Sequence, residues 1–211
     1  MTTVSAQPNT YPVSFTAASL RPELARIVAQ AYLDSADWKL AKALVRKNNL
    51  LQARSPASGH RMEQEMRLRL QKLTCRELEI LAQATSDARQ AIAWLAALKH
   101  APIIYAFAVE VLRTKLEHLD PVLRPSDYEG FWELEVTRHP ELARLTPSTK
   151  VKIRSVIMTM VREAGIMQAG DSLVFNRPVL PPDVLDAILS DEPKWLAGFL
   201  VPDDEIKALM R

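Results

Sequence analysis

Two stretches of this chain are built to meet negative charge. Between Lys39 and Arg76 there are ten lysines and arginines against only Glu63 and Glu65, in a chain whose net charge is +2. A second basic stretch runs from Arg138 to Arg162, with six cations against Glu141. Both cation types attract phosphate, and arginine adds a planar fork that matches two oxygens at once. On a helix turning 100° per residue, Lys39, Lys42 and Arg46 fall within a sector of about 60°, opposite Leu40, Ala41, Leu44 and Val45. No acid interrupts this stripe, and Lys47 adds a further cation at the end of the helix. The adjoining Arg54-Ser55-Pro56-Ala57-Ser58-Gly59-His60-Arg61 reads as a loop. Its two arginines, the hydroxyls of Ser55 and Ser58 and its backbone amides are the donors that phosphate oxygens accept from. A solvated helix face and an ordinary Ser/Gly loop are the plain alternatives.

In the second stretch, Thr146-Pro147-Ser148-Thr149 opens a helix expected to bury Ile153, Val156, Ile157, Met160, Val161 and Ala164. Lys150, Arg154 and Arg162 then lie on or beside its open face, with Lys152 on the other flank. Free amides and the helix dipole favour an anion at such an N-terminus, and Ser148 and Thr149 add hydroxyls. A Ser/Thr cap at an ordinary helix start accounts for the same residues.

Other chemistry finds little support. The five glycines, at Gly59, Gly130, Gly165, Gly170 and Gly198, cannot form a nucleotide-binding loop. The lone Cys75 permits no internal disulfide and no thiolate cluster, and reads as a bystander just inside a helix start. His60, His100, His118 and His139 are at least 18 residues apart, so no helical metal pair exists. Glu129, Glu133 and Glu135 read as a solvated helix face, without the partners that acid/base catalysis requires. Trp38, Trp94, Trp132 and Trp195 are dispersed and read as packing residues rather than as a base-stacking platform. The expectation is a protein with no catalytic set, no metal and no cofactor.

The elements that must carry the two basic stretches are helices. Alanine and leucine number 27 and 28 against 5 glycines, a balance that favours helix. The expected class is all-α in two helical subdomains: a lead-in over residues 1–18, an N-terminal unit over 19–120 and a C-terminal unit over 121–211. Pro121 and Pro125 mark the boundary. Tyr11 and Phe15 of the lead-in are candidates to dock on the body. The pattern predicts a helix opening at Pro22, a second from Trp38 to about Lys47 capped by Asp37, and a third from about Arg61 to Leu73. A capping box at Thr74-Cys75-Arg76-Glu77 starts a fourth. Helices over about Asp87–Lys99, Pro102–Leu119, Asp127–Arg138 and Ser148–Ala164 follow, the last stopped by Gly165.

Leu173-Val174-Phe175 and Val179-Leu180 flank a turn at Asn176-Arg177-Pro178 and suggest a short hairpin. That order would suit a winged helix. Seven acids between Asp183 and Lys207 face only Lys194 and Lys207, and could fold over the basic surface and compete with a nucleic acid.

The apolar run Ala91 to Val109 invites a membrane reading, but Lys99, His100 and Pro102 stand at its middle, where insertion costs most. Two buried helices split at that point are expected instead, with no membrane partner. The N-terminus shows no basic start followed by an apolar run, so a cytoplasmic location is expected.

Several strings, in this order and spacing, resemble the BrxA family of bacteriophage exclusion (BREX) defence systems. They are Tyr11-x-x-Ser14-Phe15, Asp37-Trp38, Asn49-Leu50-Leu51-Gln52-Ala53-Arg54-Ser55 with Arg61 after it, and Val109-Glu110-Val111-Leu112-Arg113. Further on come Asp127-Tyr128-x-x-Phe131, Leu145-Thr146-x-Ser148-Thr149-Lys150 and Arg162-Glu163-Ala164-Gly165-Ile166. Lys150 stands where the family pattern has arginine, which keeps the charge and loses the fork. The resemblance implies a helical fold similar to the RNA-binding antitermination factor NusB. It also implies a non-enzymatic, nucleic-acid-binding role in a system that methylates host DNA and blocks phage replication. Double-stranded DNA is the leading ligand on this reading; RNA, or acidic surfaces of other BREX subunits met by a protein adaptor, are the alternatives.

Overall fold

The computed structural model describes Phe15, residues 18–168 and residues 173–211. Tyr11 and Ser14 lie outside the described residues; Phe15 is buried in the core. Five helices form the first half: α1 (Pro22–Ser35), α2 (Trp38–Lys47), α3 (Pro56–Leu70), α4 (Cys75–Gln83) and α5 (Ser86–His100). Their starts follow local chemistry. Asp37 accepts from the amides of Lys39 and Leu40, and the Thr74/Glu77 capping box forms as expected. The hub is α5, whose residues from Ala91 to Leu98 are all buried. The Trp94 indole donates to the Gly198 carbonyl at 2.9 Å, tying α5 to a 3-10 turn over Pro193–Phe199. A Cβ at Gly198 would fall 2.5 Å from Leu98 Cδ1, so only glycine allows this approach.

The apolar run divides where its polar residues stand. Ala101 is extended and Pro102 opens α6 (Pro102–Ala106), which continues through a π-helical segment, Phe107–Arg113, into α7 (Thr114–Glu117). This rod meets α5 at 113°. No single helix among the described residues is long and apolar enough to cross a membrane. The Lys99 side chain is 5% exposed, and its ammonium sits 2.7 and 2.8 Å from the two Glu77 oxygens and 2.7 Å from Asp191.

The remaining helices are α8 (Pro125–Arg138), α9 (Pro147–Glu163), α10 (Pro182–Asp191) and α11 (Asp203–Leu209), with a 3-10 turn over Pro140–Arg144. Gly165, at φ 69°, ends α9 in the left-handed region where glycine carries no Cβ penalty. One apolar core cluster runs from Phe15 to Ile206. Polar ties reinforce it: Glu163, at the end of α9, accepts from the Ser19 hydroxyl at 2.8 Å and the Leu20 amide at 2.6 Å.

The expected hairpin does not form, and with it the winged-helix reading falls. The segment 173–175 is bridged on both edges by other partners, Val174 to Val122 and Phe175 to Met167, both antiparallel. Val179 instead stands 92% exposed between Pro178 and the Pro181-Pro182 pair, where the prolines lack the amides a ladder needs. The acidic tail also departs from expectation. Asp191 pairs with Lys99, Asp203 with Arg113 and Glu205 with Arg177. Among the described residues, no tail acid pairs with a cation of either basic stretch.

Candidate nucleic-acid interface

The orientation of α2 decides which cations of the first stretch are available. Ala41 and Val45 are buried, and Trp38 stacks on Tyr32 with ring centroids 4.0 Å apart. Leu40 and Leu44, expected in the core, are 59% and 42% exposed. The helix is therefore turned from the expected register, because the small Ala41 lets its face pack closely while the leucines rotate outward. Lys39, Ala43 and Lys47 share the outward side with the two leucines, and Lys42 lies on the flank.

Arg46 is carried inward by the same rotation. Its Nε donates to Glu63 Oε2 at 2.8 Å, and Arg67 Nε donates to Glu63 Oε1 at 2.7 Å. Glu63 is buried, so Arg46 joins α2 to α3 and is not a free phosphate ligand. Arg69 is structural too: it donates to Glu65 and to the carbonyls of Phe15, Ala18 and Ser19 at 2.6–2.9 Å. The missed signal was Glu63 and Arg67 at i, i+4 on one helix face.

The segment expected to be a loop from Arg54 to Arg61 is mostly helix. Ser55 is the N-cap of α3, accepting from the Ser58 amide at 3.2 Å, and Pro56 fills the first position. Ser58 and Arg61 are thus helical, and the Ser55 hydroxyl is engaged in the cap. A Ser-Pro pair is a helix-start signal that the loop reading overlooked. Before it, Asn49 and Gln52 both adopt left-handed backbone, at φ 45° and 49°. The Asn49 side chain holds this turn, accepting from the Ala53 amide at 3.0 Å and donating to its carbonyl at 3.3 Å. Leu51 is buried beneath it.

These elements frame a cavity of about 340 Å³ whose polar lining includes Asn49, Arg54, Ser55 and His60, with Arg46 at its side. Gly59 belongs to the same frame, since a Cβ there would sit 3.1 Å from the Ala53 Cβ. Among the described residues, no carboxylate pairs with Lys39, Lys42, Lys47, Arg54 or Arg61. The N-terminus of the 15-residue α3 adds the positive end of a helix dipole; Pro56 has no amide, and the amides of Ser58 and Gly59 are taken by the Ser55 hydroxyl and carbonyl.

The second stretch is arranged differently. Lys150 reaches Glu129 at 2.7 Å and Arg154 reaches the same carboxylate at 3.4 Å. The Lys150 ammonium lies over the Trp132 ring at 5.6 Å, and the Arg154 guanidinium over Tyr128 at 5.3 Å. The hydrogen bond from Lys150 holds the Glu129 carboxyl below its usual range, with Arg154 adding to the effect. Glu129 is thus an ion-pair partner at the surface, and of the three glutamates expected on a solvated face it is Glu135 that is buried. The outward side of α9 carries Val151, Lys152, Ser155 and Thr159. At its N-terminus, the Thr146 hydroxyl caps the Thr149 amide at 3.3 Å and lies 3.0 and 2.9 Å from the hydroxyls of Ser148 and Thr149. The cap engages the hydroxyls expected to face an anion. Arg162 is half-buried near the far end of α9. The fold therefore keeps the two groups of candidates on separate helices, α2–α3 and α9.

Among the described residues, no cluster of three His, Cys, Asp or Glu side chains could hold a metal ion. The crystal structure of an uncharacterized protein from Magnetospirillum magneticum matches this fold with a TM-score of 0.80. It covers 90% of this chain and 97% of that one at 18% identity, a likeness of fold alone. The BREX protein BrxA of Escherichia coli O9:H4 (strain HS) is 26% identical over 140 residues. That match spans 66% of this chain and 66% of the relative's length. The BrxA family model matches residues 9–192, which include both basic stretches and the frame of the α3 cavity. The chain belongs to the BrxA family.

Proposed function

We propose that this chain is a non-enzymatic, DNA-binding accessory of a BREX phage-defence system, gripping the duplex through phosphate contacts from α2, the 48–55 turn and the start of α3. The observation that carries the reading is the set of cations without carboxylate partners: Lys39, Lys42 and Lys47 along α2, Arg54 on the wall of the cavity and Arg61 in the second turn of α3. The name of the Escherichia coli relative supplies the BREX context. Phosphate contacts position a protein without reading bases, so little sequence dependence is expected. A second reading, as an adaptor for a BREX subunit, draws on Leu40 and Leu44, whose exposure beside Lys39 and Lys47 suits an acidic partner with an apolar centre. RNA would meet the same phosphate ligands.

The test reverses Lys47, Arg54 and Arg61 together to Glu and leaves Arg46 in place, because Arg46 holds Glu63. Duplex affinity at low salt should fall at least 100-fold, on the order expected for lost phosphate contacts, and the plot of log affinity against log salt should become shallower by up to about 2.7. The melting temperature should hold, since all three side chains are exposed. A parallel Lys150→Gln/Arg154→Gln variant should stay within about threefold of the wild-type affinity, because those cations are already paired. Wild-type binding by the triple variant overturns the proposal. A BREX subunit captured by the wild type and lost on Leu40→Gln/Leu44→Gln would then favour the adaptor.

A further inference from the structure

A second cavity, of about 180 Å³, opens between α8 and α9. Arg124, Tyr128, Arg154 and Arg162 provide its polar wall, and Leu123 and Met158 part of its apolar one. Two of these polar groups lack partners. Tyr128 is 1% exposed and its hydroxyl makes no hydrogen bond. The Arg162 Nε is buried and equally unsatisfied, and no carboxylate pairs with Arg162 among the described residues. Its neighbour Glu163 is committed to Ser19 and Leu20. Buried donors without acceptors are rare in folded proteins, and each calls for an explanation such as an absent ion.

The surrounding charge has one sign in excess. Asp120 is 2.6 Å from Arg124 but is shared with Lys115 at the same distance. Glu129 is 3.4 Å from Arg154 but is held more closely by Lys150. Asp127, 3.0 Å from Lys115, balances the first pair, so the excess comes from Arg154, which shares Glu129 with Lys150, and from Arg162. Burial also pushes the Tyr128 phenol up, so it stays a neutral O–H donor at working pH. A cavity lined by three guanidiniums and a phenol donor suits an oxyanion. Its volume is below the roughly 300–1,000 Å³ of pockets that enclose whole organic ligands and leaves room for a group of phosphate size.

We propose that this cavity is a binding site for a single phosphate-type oxyanion, with Arg162 and the Tyr128 hydroxyl as its principal ligands and Arg124 and Arg154 completing the positive surround. The site lies on different helices from the proposed duplex-binding face and stands independently of it.

Inorganic phosphate is the probe, titrated calorimetrically into the full chain and compared with chloride at matched ionic strength. Saturable binding and a phosphate-specific rise in melting temperature are expected, as for any ligand that binds only the folded state. Arg162→Gln should weaken phosphate binding about tenfold or more, for a lost charge-assisted contact. Tyr128→Phe should weaken it about threefold, for a lost neutral hydrogen bond. In chloride, Tyr128→Phe should melt no lower than the wild type, because its hydroxyl has no protein partner to lose. An Arg162→Gln melting temperature unchanged in chloride separates ligand binding from a folding role. Duplex binding by Arg162→Gln then identifies the source of the phosphate. A fall in affinity assigns it to a nucleic-acid backbone; unchanged affinity assigns it to a free ion. A phosphate response no greater than that of chloride, or one equal in the wild type and both variants, overturns the site.

Discussion

Glu63 and Glu129 each bind two cations, yet the Glu63 side chain is 1% exposed and that of Glu129 45%. Around Glu63, the pairing uses up Arg46 and Arg67 as a clamp between α2 and α3; Arg69 is held by Glu65 and Arg76 lies 3.8 Å from Glu79, while Lys39, Lys42, Lys47, Arg54 and Arg61 stay open. Around Glu129, the pairing takes up Lys150 and Arg154 themselves, and two aromatic rings help to hold them. Similar runs of lysine and arginine therefore end as an open cationic face on α2–α3, and as a cluster at Lys150 and Arg154 that Glu129 compensates. What separates them is where the glutamate comes from. Glu63 lies on the buried side of the basic element itself, whereas Glu129 is delivered by a neighbouring helix to the cations.

The largest way to break this contrast is to neutralise the clamp. Glu63→Gln strands two arginines at a half-buried interface, and removing one partner of a buried ion pair costs about 3 kcal/mol. For a chain of this size that is a fall of roughly 6–12 °C in melting temperature, read by thermal denaturation. A loss below about 1 kcal/mol would place the Glu63 pairs with ordinary surface bridges, and Arg46 would return to the phosphate-binding set.

Acid titration tests the buried floor under the first stretch. Burial, with Arg69 and Lys72 nearby, lowers the His100 pKa to about 4. The unfolded chain, with a histidine near 6.5, binds the proton first as pH falls. Stability from neutral His100 is therefore present above pH 6.5 and is lost on the way down to 4, by up to about 3 kcal/mol at the lower end. Glu65, raised by burial against the pull of Arg69, works in the opposite direction. Comparing wild type with His100→Gln cancels that contribution. The wild type should lose more melting temperature than the variant between pH 7 and 4; parallel curves would show that His100 protonates in the folded state without penalty.

The parts of this architecture that were legible in the sequence are those set by short-range chemistry. The cap at Asp37, the capping box at Thr74 and Glu77, the break at Pro102 and the stop at Gly165 each depend on a residue acting on its own backbone. The all-α class follows from many such local choices agreeing. What escaped depends on tertiary partners. The register of α2 was set by packing on neighbouring helices, so an apolar count that treated Leu40 and Ala41 as equals misplaced the core face by part of a turn. The hairpin failed because residue 122, some fifty positions away, competes for segment 173–175. Glu129 is 21 residues from Lys150 and no spacing rule connects them. For the candidate site, the basic stretch was visible as composition, while the start of α3 inside the expected loop and the division of its cations into clamp and open face were not.

The smallest effect addresses that division directly. If Glu129 is what closes the second stretch, Glu129→Gln should open it, since an amide cannot neutralise Lys150 and Arg154. Acidification is a poor substitute for the variant. With its pKa held below 4.5 by Lys150, Glu129 stays ionised through the mildly acidic range, and the pairing, present above the unfolded value, is lost only as pH falls through the lowered folded one. The cost to folding should be under about 1 kcal/mol, because the pairs are surface bridges. Duplex affinity should rise a few-fold at low salt, and the salt dependence should steepen by up to about 1.8, for two released cations at roughly 0.9 each. An unchanged slope would assign the closure to the rings of Trp132 and Tyr128, which hold the same two cations whether or not the carboxylate is charged. Replacing Trp132 by Leu in the Glu129→Gln background would then be required to free Lys150, and a slope that steepened only in the double variant would show that stacking, not neutralisation, separates the two basic regions.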